Sequence, residues 1–133
     1  MGKVEVEYKG DMLFWTKIGN HELEIDVPDE MGGKDRAMTP PELMLASLAS
    51  CSAAFAVKYA NTAGLNSEGL KAVLEYEKLE NPLRLTNFKM VLKVPGVDDE
   101  RKSKALLKAA GHCPVHQSFE NFEGIDFSVE IGK

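Results

Sequence analysis

The sequence predicts an α+β fold in one domain, residues 1–133. Three observations carry this. Residues alternating between polar and apolar gather in runs at the start, middle and end of the chain. One stretch of fifteen residues, Leu43 to Val57, carries no charge. A charged amphipathic segment follows Pro95-Gly96. Strands in runs with helices set apart make an α+β protein, whereas a doubly wound sheet alternates the two.

The first thirty residues read as a three-stranded meander. Val4, Val6 and Tyr8 alternate with Glu5, Glu7 and Lys9, and Gly10-Asp11 makes a turn. Met12 to Ile18 is the second strand, where Phe14, Trp15 and Thr16 favour extended backbone. Gly19-Asn20 is a two-residue hairpin signal. In the third strand, His21 to Val27, Leu23, Ile25 and Val27 face inward, and Glu22, Glu24 and Asp26 face water.

Pro28 to Met38 is a charged loop containing Gly32-Gly33, Lys34, Asp35 and Arg36. Thr39-Pro40-Pro41-Glu42 then opens a helix, with Thr39 as N-cap, Glu42 completing a capping box and the prolines in the first turn. The uncharged stretch is shorter than the roughly 20 residues a bilayer needs. A helix apolar all round is buried all round. Its alanines and serines let other backbones approach closely, and Gly64 stops it. One chain of this size cannot cover such a helix, so a homodimer is expected.

Gly69 to Lys78 and Leu83 to Val94 read as strands joined at Asn81-Pro82. Asp98-Asp99-Glu100 opens the amphipathic helix, with Lys102, Lys104 and Lys108 further on. That order complements the helix dipole. Pro114 starts a short helix to about Asn121, and Ile125 to Ile131 alternates as a final strand.

Composition narrows the function classes. Hydrophobic residues at 44% and charged residues at 28% exclude disordered and collagen-like chains. Sixteen basic against 21 acidic residues give a net charge of −5, which offers nucleic acid no electrostatic footprint. Two cysteines without a Cys-x-x-Cys pair make neither a disulfide scaffold nor a structural zinc site. The N-terminal segment has no apolar core of the kind a signal peptide carries, so a cytoplasmic location is expected.

The residues able to carry chemistry are few. Cys51 lies inside the apolar helix, where a thiol also packs as a small hydrophobe. Cys113 precedes Pro114 at a helix start, where the dipole favours a thiolate. His112 and His116 flank it, and His-Cys-x-x-His supplies three metal ligands but no evident fourth. Neither a metal nor a cofactor is expected. Glu42 reads as a capping acid and Arg36 as a loop charge, unless either faces a thiol. An arginine beside a buried cysteine would offset the rise in pKa that desolvation causes. Arg36 runs directly into the helix start and is expected to reach Cys51.

Two motifs resemble the OsmC/Ohr family, the osmotically inducible and organic hydroperoxide resistance proteins. Thr39-Pro-Pro-Glu-Leu-Met-Leu-Ala-Ser-Leu-Ala-Ser-Cys51 looks like the family's small-residue helix ending in a reactive cysteine. Cys113-Pro114-Val115-His116 looks like its second-cysteine motif. The resemblance implies antiparallel sheets from two intertwined subunits, wrapped around central buried helices. It implies a peroxidase in which Cys51 attacks an organic hydroperoxide and Cys113 resolves the sulfenic acid as a disulfide. A dithiol reductant, such as a lipoylated protein, would reopen that disulfide. The family's peroxidases also carry an early arginine and a glutamate directly after Asn-Pro. Here residues 1–35 hold no arginine and Glu42 comes one position late, about 100° around a helix. The chain therefore resembles the branch without that pair. The alternative function is a redox-sensing or small-molecule-binding module on the same scaffold.

Overall fold

The computed structural model describes residues 2–132. The chain forms two compact units that divide between Ser47 and Leu48.

The first unit holds strands β1 (Val6–Gly10), β2 (Leu13–Ile18) and β3 (His21–Ile25), an antiparallel sheet in the order β1-β2-β3. Ile18 pairs with His21 across the expected Gly19-Asn20 turn. The register shifts between Tyr8 and Gly10, and Asp11 and Met12, both at positive φ, form the turn to β2. Thr16, Asp26 and Val27 are its buried residues. Asp26 corrects the expected alternation, since it is fully buried rather than facing water. The strand ends at Ile25, and from there the backbone turns and gathers N–H donors around the Asp26 carboxylate.

Helix α1 (Pro40–Ala63) has the expected capping box. The Glu42 carboxylate accepts from the Thr39 N–H at 2.9 Å, and the Thr39 hydroxyl accepts from the Glu42 N–H at 3.4 Å. Gly64, at φ 71°, follows the last turn. At 24 residues the helix is longer than its uncharged stretch, and by length and composition alone it could cross a bilayer.

The second unit contains the hairpin β4 (Lys71–Leu79) and β5 (Arg84–Lys93), then α2 (Glu100–Ala110) and α3 (Pro114–Glu120). Asp99 caps α2 by accepting from the N–H groups of Arg101 and Lys102. Ala56 and Ala60 of α1 pack on Leu106 and Ala110 of α2, with Leu65, Leu70, Leu92, Val94 and Val97 around them. The alanines permit that close approach.

Two expectations meet the structure differently. The buried residues of α1 are Leu48, Ser52, Ala56 and Ala60, a single stripe at four-residue spacing. One chain therefore does not bury this helix all round. Residues 125–131 form no strand. Ile125, Phe127, Val129 and Ile131 are 66 to 90% exposed. Alternation supplies the faces of a strand, but a ladder needs a neighbour, and among the described residues no strand pairs with the segment.

Candidate active site

Two helices build the centre of the second unit. Cys51 lies on α1 beside the buried Ser52. Cys113 is the N-cap of α3 and is fully buried, while Cys51 is half-buried. Pro114 at the first helical position fixes the backbone for that start. The Cys113 sulfur accepts from the His116 N–H at 3.3 Å.

The two thiols, 62 positions apart in sequence, lie near enough to shift each other's ionisation and remain free rather than bridged. Burial pushes the Cys51 thiol up, and its contact with Cys113 adds to this against a smaller pull from the Val115 N–H. Burial acts in the same sense on Cys113 and is its largest single influence. Donation from Cys51, the His116 N–H, the Ser52 hydroxyl and the Val115 N–H together outweighs it and holds Cys113 below the ordinary thiol range. The two thiols are thus shifted in opposite directions, Cys51 up and Cys113 down.

Sequence reasoning missed Ser52 and the backbone N–H groups of Val115 and His116. Ser52 was visible as the residue following Cys51, one of several serines in an apolar run. Backbone donors leave no trace in side-chain identity.

Arg36 and Glu42 belong to the first unit. The Arg36 Nε donates to Asp26 Oδ2 at 2.8 Å, its NH2 to the Asp11 carbonyl at 2.7 Å, and its NH1 to Asp11 Oδ2 at 3.3 Å. Asp26 also accepts from the N–H groups of Val27, Lys34 and Arg36, which ties the loop around one carboxylate. The Arg36 side chain, first among these donors, holds Asp26 far below the usual carboxylate range despite its burial. The loop returns so close to the strand end that a Cβ on Gly33 would lie 1.7 Å from the Val27 carbonyl oxygen. Glu42 is held below its ordinary value by the Thr39 N–H and then the Thr39 hydroxyl, consistent with its capping role.

His112 is exposed, whereas His116 turns its Nε2 to Glu120 at 3.4 Å. Beside the thiol pair lies a cavity of about 540 Å³. Leu74, Phe88, Met90, Leu107 and Phe119 make it largely apolar, and Ser52, His116 and Glu120 contribute polar groups.

Known proteins extend the comparison. The OsmC-like protein family model matches residues 32–130. No curated protein matches the chain. A crystal structure described as an osmotic stress induced and detoxification response protein from Psychrobacter arcticus is 26% identical. The match covers 89% of this chain and 88% of that one, with a TM-score of 0.78. An OsmC-like protein from Mycoplasma pneumoniae is 16% identical over 90% of this chain and 87% of that one, with a TM-score of 0.76. An organic hydroperoxide resistance protein from Legionella pneumophila is 20% identical over 90% and 88%, with a TM-score of 0.67. The two lower identities speak for the fold alone. With its α+β architecture and two facing thiols, and with the family model covering most of its length, this chain belongs to the OsmC-like protein family.

Proposed function

We propose that the protein is a thiol-dependent peroxidase that reduces organic hydroperoxides. The observation that carries the reading is the thiol pair, with a half-buried Cys51 beside a fully buried Cys113 that is held below the ordinary thiol range. Cys51 is the sulfur more open to a substrate, so it is the nucleophile. Cys113, as thiolate, takes the Cys51 proton as attack begins, which offsets the burial that holds the Cys51 thiol up. The Cys51 sulfur bonds the terminal peroxide oxygen and the O–O bond breaks. The products are Cys51 sulfenic acid and an alkoxide that protonates to the alcohol. The Cys113 thiol then attacks the sulfenic sulfur, releasing water and closing a disulfide. A dithiol, such as that of a lipoylated protein, returns both thiols.

The working unit in this reading is a cytoplasmic homodimer. The uncovered faces of α1 and the unpaired 125–131 segment support a second copy. The family's other outcome, a redox-sensing or small-molecule-binding module, draws support from the apolar cavity. It would show one stoichiometric oxidation without dithiol-driven turnover.

Stopped-flow consumption of cumene hydroperoxide with dithiol present tests the peroxidase. Wild type is expected to turn over. Cys51→Ser is expected to lose consumption, and Cys113→Ser to stop after one equivalent, as sulfenic acid. Undiminished consumption by Cys51→Ser would falsify the assignment.

A further inference from the structure

The mechanism above leaves one cluster unused, the His116–Glu120 pair on α3. Its position is informative. The N–H of His116 holds the Cys113 sulfur, while its side chain lines the apolar cavity with Glu120 and Ser52. Ser52 directly follows Cys51 and its hydroxyl lowers the Cys113 thiol, so the cavity meets the thiol pair through Ser52. Among the described residues, His116 and Glu120 are the only ionisable side chains in the lining, set against Phe88 and Phe119, whose ring centroids lie 6.3 Å apart. The Glu120 carboxylate faces His116 Nε2 at 3.4 Å.

We propose that His116 is the general acid of peroxide reduction, with Glu120 as its positioning residue. This rests on the peroxidase reading. The proton balance calls for such a group. The Cys51 proton passes to Cys113, so none is left at the sulfur for the departing oxygen. Attack forms the S–O bond and breaks the O–O bond, and the electron pair leaves on the alkoxide. An alkoxide is a poor leaving group in an apolar cavity. The His116 imidazolium protonates it as the bond breaks, giving the alcohol and neutral imidazole. Cys113 keeps its proton until it attacks the sulfenic acid, where that proton leaves in water. The imidazole takes a proton from solvent before the next cycle.

The test uses two oxidants that differ in what leaves. Cumene hydroperoxide expels an alkoxide, which needs a proton. Peracetic acid expels acetate, a stable anion that leaves without one. Single-turnover oxidation of Cys51 is measured for wild type, His116→Gln and Glu120→Gln. General acid catalysis is commonly worth at least about 10²-fold. His116→Gln is expected to lose about that factor with cumene hydroperoxide while peracetic acid oxidation stays nearly unchanged. Glu120→Gln should lose less, with the same selectivity. His116 is partly exposed and its backbone donor survives substitution, so the fold is expected to persist. An equal loss with both oxidants, or none with either, overturns the general acid. Wild type that oxidises with neither overturns the peroxidase reading as well.

Discussion

The thiol pair turns on small differences in surroundings. Both sulfurs are desolvated, and what separates them is the number of donors each receives. Removing one donor should move the pair. Ser52→Ala is expected to raise the pH at which the Cys113 thiolate forms, read from its ultraviolet absorbance or from alkylation rate. An unchanged titration would remove Ser52 from the set. Arg36 offers the opposite case. Its charge is already matched by Asp26 and Asp11. Arg36→Ala is therefore expected to leave the Cys51 titration where it stands and to lower the melting temperature. A rise in the Cys51 pKa would instead make Arg36 the activating cation. Asp26 adds a pH dependence. Its folded pKa lies below the ordinary 3.8, so the unfolded chain binds the proton first as pH falls. The stabilisation is whole above that value and is lost as pH falls through the folded one. The stability gap between wild type and Asp26→Asn should narrow toward low pH.

The loop and helix starts show how much an element depends on a few groups. Thr39 and Glu42 satisfy each other at the mouth of α1, and both were legible in the sequence because a capping box is local. Thr39→Ala is expected to cost about 1 kcal/mol of stability, measured by urea denaturation. By composition the loop between β3 and α1 is only a charged stretch with two glycines. Yet Asp26 organises it through donors up to ten residues away. Such convergence has no period and leaves no pattern to read. Gly33 belongs to the same construction, and Gly33→Ala should destabilise the protein, because the Val27 carbonyl leaves no room for a Cβ. On α2 the apolar side was legible from its spacing. Leu106→Ala, at a residue 2% exposed, should cost about 2–5 kcal/mol.

At the scale of the whole molecule the question is what covers the apolar surface that one chain leaves open. The α1 stripe Leu48, Ser52, Ala56 and Ala60 is buried, and its other faces are not. Ile125, Phe127, Val129 and Ile131 present the matching pattern of a strand without a ladder. Sedimentation at micromolar concentration is expected to show one species of twice the chain mass. Phe127→Ser with Val129→Ser should weaken that association. A stable wild-type monomer would count against the dimer. The sequence by itself determined the elements other than a strand at 125–131, since hydrophobic period, caps and turn residues act over a few positions, whereas a strand also needs a neighbour. It also marked Cys51 and Cys113 as the residues with chemistry to offer. Only the tertiary structure decided that these two sulfurs meet, that their thiols are shifted in opposite directions, and that Arg36 has carboxylates of its own. Each of those outcomes is set by groups brought together from distant positions, whose energies depend on burial and direction rather than on residue type.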